Sequence, residues 1–292
     1  MSRITRVGLV AKHHVEAAAG VLAELAAWLE ARHVDVVFET ATAGLAGLQK
    51  ARTTTPDALP AACDLIVLLG GDGTLIGMAR RIARADADVP IAGVNFGSLG
   101  FLTEITLDEL YPSLEAALAG TAQIEERMML QARTLRDGAS FADELVLNDV
   151  VITKAALSRI IDLSVAVEDR PVMRVRADGL IVATPTGSTA YNLAAGGPIV
   201  HPVVDAVLLT PIAPHMLTNR PLVVSGASRI AVTPAMNGNE EVFVTFDGQS
   251  GHALEPGDVV TISRANKPLR LVRSSSRSYF DVLRQKLKWG ER

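Results

Sequence analysis

The stretch that most restricts this 292-residue chain is Leu65–Leu69 (LIVLL), which runs without a break into Gly70-Gly71-Asp72-Gly73-Thr74. A short, unbroken, partly β-branched apolar run reads as a strand buried on both faces. The composition of Thr74 to Ala85 predicts a helix directly after it. In an open parallel sheet, ligands bind beyond the carboxyl ends of such strands. Glycines let the chain turn tightly and let a ligand approach the backbone, and the N–H groups at the head of the helix favour phosphate. The turn is neither GxxxxGK[ST] nor GxGxxG, because it has no lysine and its glycines fall at 70, 71, 73 and 77. Asp72 needs a reason, since a carboxylate beside a phosphate cradle repels phosphate. It could accept a proton from an attacking hydroxyl or help position Mg²⁺. The plain structural alternative is a turn or N-cap aspartate.

The flanking segments extend the pattern. Val7–Ala11, Val34–Phe38 and Pro90–Asn95 read as strands, and Val15–Arg32 and Leu107–Ala119 carry apolar residues at helical spacing. Strands alternating with helices predict a Rossmann-like parallel-sheet domain. After about residue 121 the pattern changes. Ala122–Thr153, Ile160–Arg176, Ala206–Ile212, Ile230–Thr233, Val242–Phe246 and Val259–Arg264 read as strands. Turn signals such as Arg136-Asp137-Gly138, Asn237-Gly238-Asn239 and Pro256-Gly257-Asp258 separate several of them. The expected class is therefore α/β + β: an α/β domain over 1–121 and a β-rich, sandwich-like domain over 122–276. The apolar stripe of Ser278–Trp289 predicts a helix within 277–292 that packs back on the first domain.

Composition narrows the function. The 28 basic and 32 acidic residues give a net charge of −4 and form no long basic run, so a nucleic-acid surface is not expected. No run of about 18 apolar residues is present to span a bilayer, and Val7–Ala11 is too short for a signal peptide, so no membrane role and a cytoplasmic setting are expected. The single cysteine, Cys63, excludes an internal disulfide and reads as a buried inert thiol. His13, His14, His201, His215 and His252 are scattered without metal-ligand spacing, so no protein-held zinc site is expected.

Three polar clusters interrupt the β section. Asn148 and Asp149 fall inside an apolar run, which calls for partners, a ligand or a chain reversal. Arg174 and Arg176 alternate onto one strand face, either solvated or facing an anion. The stretch Asp178–Pro198 enters as a strand, turns through Thr184-Pro185-Thr186-Gly187-Ser188-Thr189 and stops at Gly196-Gly197-Pro198. Its hydroxyls and backbone N–H groups suit a nucleotide bound without net charge, and Ser188 lacks the GxSxG elbow of a hydrolase.

Taken together, Gly70–Thr74, Asn95–Leu102, Asn148-Asp149, Asp178–Pro198, Pro211–Pro221 and Asp247-Gly248-Gln249 resemble the NAD kinases (ATP-NAD kinases) along nearly the whole chain. The Gly-Gly-Asp-Gly turn alone is shared with phosphofructokinases and lipid kinases; the long hydroxyl-rich stretch is more specific. The resemblance implies transfer of the ATP γ-phosphoryl group to the 2′-hydroxyl of the NAD adenosine ribose, with Mg²⁺ or another divalent cation carried by ATP. It implies Asp72 as the base and Gly70, Gly71, Gly73 and Thr74 around phosphate. It implies NAD contacts from Asp72, Gly73, Asn148, Asp149, Arg159, Arg176, Asp178, Thr189, Ala190, Tyr191, Asn192, Leu193, Ala194 and Gln249. Asp149 stands where the family commonly has Glu. The resemblance also implies a homo-oligomer, dimer or tetramer, with the β domain offering the interface. The rival readings are a lipid kinase of the diacylglycerol or sphingosine type and a non-catalytic dinucleotide sensor.

Overall fold

A computed structural model of the chain describes residues 3–12, 17–48, 51–97, 99–155, 160–216, 218–236 and 241–289. In chain order the elements are β1 (Arg6–Ala11), α1 (Ala17–Glu30), β2 (Asp35–Glu39), α2 (Thr40–Leu45), β3 (Thr53–Thr54), α3 (Leu59–Ala62), β4 (Leu65–Leu69), α4 (Asp72–Arg84), β5 (Ile91–Val94), α5 (Leu110–Leu118) and β6 (Ile124–Arg127). There follow β7 (Leu130–Arg136), β8 (Ala139–Val146), β9 (Asp149–Lys154), β10 (Ile161–Val167), β11 (Arg170–Ala177), β12 (Gly179–Ala183), α6 (Tyr191–Ala194), β13 (Ala206–Ile212) and β14 (Leu222–Ser225). The chain ends with β15 (Ile230–Ala235), β16 (Val242–Phe246), β17 (Ser250–Leu254), β18 (Val259–Arg264), β19 (Leu269–Val272) and α7 (Tyr279–Leu287). Short 3-10 turns cover Leu107–Glu109 and Thr186–Thr189. Contacts divide the chain into Met1–Glu126 with Leu269–Arg292, and Arg127–Pro268.

The first unit is built on a seven-stranded sheet in the order β3-β2-β1-β4-β5-β19-β6, with β1–β2, β1–β4, β2–β3, β4–β5 and β5–β19 parallel. β4 lies near its centre with all five residues buried, as its unbroken apolar run requires. Their burial contributes on the order of 10 kcal/mol of transfer free energy before chain entropy is subtracted. Leu22, Leu25 and Leu29 of α1 and Leu110 and Leu114 of α5 share a core with Val7, Leu9, Val67, Leu69 and Val94 of the sheet. Helix α4 buries Leu75, Ile76, Met78, Ala79 and Ile82. It begins at Asp72, two residues before the composition signal, because extended Gly71 (φ −105°, ψ 179°) caps it. Cys63 is buried, its thiol donates to the Leu59 carbonyl, and burial pushes its pKa up to about 12. Helix α7 starts with a capping box between Ser278 and Asp281. Among the described residues, no helix is long and apolar enough to cross a membrane.

The second unit has two six-stranded sheets, β11-β10-β15-β18-β7-β8 and β14-β13-β12-β9-β16-β17, whose paired strands run antiparallel. One apolar cluster takes side chains from both, including Leu163, Val175, Val232 and Ile262 from the first sheet and Ile152, Leu180, Leu209 and Val244 from the second. This is the alternating inward face of a sandwich. Asp137 (φ 50°) and Gly138 (φ 79°) reverse the chain between β7 and β8, the two positive φ angles of a tight hairpin. The turn signal at Asn237-Gly238-Asn239 lies outside the described residues.

Candidate active site

At the carboxyl edge of the parallel sheet, Ala11 of β1 pairs with Leu69 of β4, and Leu69 with Val94 of β5. The next residues continue the ladder: the Lys12 N–H donates to the Leu69 carbonyl and the Gly70 N–H to the Val94 carbonyl, both at 2.9 Å. The glycine turn therefore starts on the sheet edge and ends as the first turn of α4. A Cβ on Gly70 would meet Thr74 Oγ1 at 3.2 Å and Lys12 Cβ at 3.3 Å. Gly71 and Gly73 differ. Neither has a positive φ, and a Cβ at either would find nothing within 4 Å among the described residues. Among the described residues, the fold therefore does not demand glycine at either position.

Asp72 is held by the segment after β5 that contains Gly97 and Gly100, through Phe101, Leu102 and Thr103. Its Oδ2 accepts the Phe101 N–H at 2.8 Å. Its Oδ1 accepts the N–H groups of Leu102 at 3.1 Å and Thr103 at 3.0 Å and the Thr103 hydroxyl at 2.9 Å. Gly100 lies directly under the carboxylate: a Cβ there would overlap Asp72 Oδ1 and Thr103 Oγ1. Asn95 Nδ2 donates in turn to Thr103 Oγ1 at 3.1 Å. Ser98 of this turn lies outside the described residues. A carboxylate has about four lone-pair positions over two oxygens. Among the described residues, Oδ1 takes three donors and Oδ2 one.

In the second unit, Asn148 lies in the two-residue link from β8 to β9, and Asp149 is the first residue of β9, paired with Ala183 of β12. The Asp247 carboxylate accepts the N–H groups of Leu147 at 2.9 Å, Asn148 at 2.7 Å and Asp149 at 3.1 Å. From the other side, the Thr184 hydroxyl donates to the Leu147 carbonyl at 2.6 Å and the Thr184 N–H to the Asn148 carbonyl at 2.9 Å. A Cβ on Gly187 would overlap the Asn148 carbonyl, so only glycine fits. Asp149 is buried; burial, and then the charge of Asp247, pushes its pKa up to about 7.

The remaining expected residues that the structure describes fall on the same unit. The Asn192 side chain is fully buried: its Nδ2 donates to the Ser188 and Pro198 carbonyls, and its Oδ1 accepts the Thr210 hydroxyl at 2.6 Å. It holds the hydroxyl-rich turn together. Thr189 Oγ1 donates to the Thr186 carbonyl at 3.3 Å, while the Ala190 N–H donates to the Gly187 carbonyl and the Leu193 N–H to the Ala190 carbonyl. Tyr191 and Ala194 are exposed. Asp178 lies 3.5 Å from Lys154 Nζ, and its backbone is tied to Ile212 and Lys154. Arg174 and Arg176 are exposed on one face of β11, as the alternation predicts. Gln249 is exposed in the β16–β17 hairpin loop. Arg159 lies outside the described residues. Among the described residues, no cluster of three His, Cys, Asp or Glu side chains is placed to hold a metal ion.

Residues 7–122 match the ATP-NAD kinase N-terminal domain and residues 147–274 the ATP-NAD kinase C-terminal domain. The chain is 50% identical over 287 residues to a protein of Geotalea daltonii named NAD kinase, covering 98% of this chain and 99% of that one. The chain belongs to the ATP-NAD kinase family. Two solved structures agree with this fold. A yeast NADH kinase complexed with NADH superposes with a TM-score of 0.91 at 23% identity, over 100% of this chain and 90% of that one. An NAD kinase from Archaeoglobus fulgidus in complex with ATP gives 0.75 at 26%, over 96% and 99%. These ATP-NAD kinase relatives lend no support to a lipid kinase or a non-catalytic sensor.

Some residues that hold these expected side chains in place within each unit carried no role in the sequence. Gly100 and Thr103 were visible only as part of, or next to, a loop on the same sheet edge. Thr184 and Gly187 stood in the hydroxyl-rich stretch, and Asp247 beside Gln249, without a partner to explain them.

Proposed function

We propose that this chain transfers the γ-phosphoryl group of ATP to the 2′-hydroxyl of the NAD adenosine ribose, giving NADP and ADP. The observation that carries the reading is the placement of Asp72: a carboxylate at the head of α4, beside glycines where a Cβ would meet no described atom, fixed by hydrogen bonds from Phe101, Leu102 and Thr103. The ribose 2′-oxygen attacks the γ-phosphorus, the bond from that phosphorus to the β,γ-bridging oxygen breaks, and ADP leaves with the electron pair. The hydroxyl proton passes to Asp72, and Oδ2, which takes fewer donors than Oδ1 among the described residues, is the oxygen to receive it. Phosphoryl transfer needs mainly positioning and charge stabilisation. Gly71, Gly73 and Thr74 at the helix N-terminus would cradle the ATP phosphates, with Gly70 setting the turn.

Asn148, Asp149 and the Thr189–Ala194 turn would grip NAD, with Arg159, Arg176, Asp178 and Gln249 as further contacts. Mg²⁺ usually binds through one or two carboxylates and the substrate phosphates. The single carboxylate of the glycine turn fits an ion held mainly by ATP, where it would neutralise phosphate charge. A homo-oligomeric assembly and a cytoplasmic setting accompany this reading.

The test is product formation by the purified protein with NAD, ATP and Mg²⁺, read by an NADP-specific dehydrogenase, with Asp72→Asn beside it. The expected result is NADP from the wild type alone, with NAD binding retained in the variant. Folded wild type that yields no product, with NAD or NADH and with ATP or polyphosphate, would overturn the reading. A variant within a few-fold of wild type would remove Asp72 as base.

A further inference from the structure

Asp247 follows the last residue of β16 and opens the three-residue loop to β17, in which Phe246 pairs with Ser250. It adopts φ 52°, a left-handed conformation uncommon outside glycine. Two things hold it there. Its own N–H donates to the Asp149 carbonyl at 2.9 Å, extending the β16–β9 ladder by one rung beyond Phe246–Val150. Its carboxylate turns back over the start of β9 and takes three consecutive backbone N–H groups, from Leu147, Asn148 and Asp149. Three donors on one carboxylate make a rigid clamp, since charge-assisted hydrogen bonds are about twice as strong as neutral ones. The clamp carries a cost: it places a second carboxylate near buried Asp149. A surface hairpin aspartate would not need that arrangement to close its loop.

The clamp acts on a segment whose carbonyls are already fixed by Thr184 and whose Asn148 backbone is pressed against Gly187. With backbone held on both sides, the Asn148 and Asp149 side chains are what remain to meet a ligand. We propose that Asp247 is a positioning residue of the NAD site, fixing the 147–149 backbone in the one conformation that presents Asn148 and Asp149 to the dinucleotide. This rests on the NAD-binding reading of that turn. Asp247 touches no substrate in this account; it acts through the two residues it holds. Asparagine is its near-isostere, but has one acceptor oxygen and an NH₂ group. Either orientation sets that NH₂ against at least one backbone N–H of the clamp.

The experiment compares wild type, Asp247→Asn, Asn148→Ala and the double variant, with full-length protein, direct NAD titration calorimetry and steady-state kinetics. Asp247→Asn is expected to raise the NAD Kd and KM at least tenfold, with kcat changed less than threefold and the ATP KM within twofold. Because Asp247 acts through Asn148, its loss on the Asn148→Ala background should weaken NAD much less than in wild type. Unchanged NAD affinity, a loss confined to kcat, or factors that multiply in the double variant would each overturn the assignment. Should the variant not fold, amide exchange of the wild type decides. The N–H groups of Leu147, Asn148 and Asp149 should be strongly protected in the free protein, and exchange at unstructured rates would remove the clamp. Wild type that makes no NADP would sink the functional reading itself; wild type that makes NADP beside a variant with normal NAD affinity would sink only the role of Asp247.

Discussion

Thr103 gives both its backbone N–H and its hydroxyl to a single oxygen of Asp72, at 3.0 and 2.9 Å. With Gly100 lying under the same oxygen, the pair fixes which face of the carboxylate stays open. Thr103→Val, which keeps the shape and removes the hydroxyl, should lower kcat about tenfold, the equivalent of one lost hydrogen bond to a charged group. Gly100→Ala should push the carboxylate aside and lower kcat about 100-fold, because small misplacements of reacting groups are costly. NAD affinity should stay within a few-fold in both. Steady-state kinetics beside calorimetry checks this, and wild-type kcat in Gly100→Ala would show that the packing under Asp72 is immaterial.

Gly73 separates a ligand's demand for glycine from the fold's demand. A Cβ there meets no protein atom within 4 Å among the described residues. Gly73→Ala should therefore melt within a degree or two of wild type, and should gain slightly from the helix preference of alanine. If phosphates approach this backbone, the ATP KM should rise tenfold or more. Thermal melting with unchanged ATP kinetics would place the phosphates elsewhere.

Asp149 makes stability depend on pH. Its folded pKa is about 7 against 3.8 for the free group, so between those values the native state keeps a proton that the unfolded chain has lost. Stability from this group is full below about pH 4 and is lost as pH rises through 7. Asp149→Asn mimics the protonated form and does not titrate. Its stability relative to wild type should improve by roughly 2–3 kcal/mol between pH 5 and pH 8. Denaturant unfolding at the two pH values measures it; a constant difference would mean that Asp149 is ionised throughout.

Glu109 behaves in the opposite sense. Burial works to raise its pKa, but hydrogen bonds from Ser276, the Thr106 N–H, Arg277 and the Thr106 hydroxyl outweigh burial and bring it down to about 2. Its contribution is therefore present above about pH 4.5 and is lost as pH falls towards 2. The same carboxylate ties the 274–277 segment to the turn before α5. Glu109→Gln should cost about 1–3 kcal/mol at pH 7, with the gap to wild type shrinking at pH 3. Melting curves at both values decide it, and a gap that widens in acid would reverse the assignment.

Much of this was legible in the residues. Leu65–Leu69, Ala206–Ile212, Val242–Phe246 and Val259–Arg264 are strands with the boundaries their apolar runs suggest, because burial on one or both faces writes itself directly into composition. The short elements were not legible. Thr40–Leu45, Leu222–Ser225 and Ser250–Leu254 are too brief to show a period, and Ser250–Leu254 contains a glycine. Leu269–Val272 alternates like any strand; only its pairing of Leu271 with Ile91 shows that it completes the first sheet.

Local chemistry is written in the order of the residues: a buried strand ending in a glycine turn with one aspartate, a polar pair inside an apolar run, a hydroxyl-rich loop, and a family. These are properties of neighbours along the chain. What each polar group faces was decided only by the tertiary structure. The donors to Asp72 lie 29 to 31 positions away, and the donors to Asp247 lie 98 to 100 positions away. No local propensity encodes those partners, because such contacts form only after loop closure and core packing have brought the strand ends together.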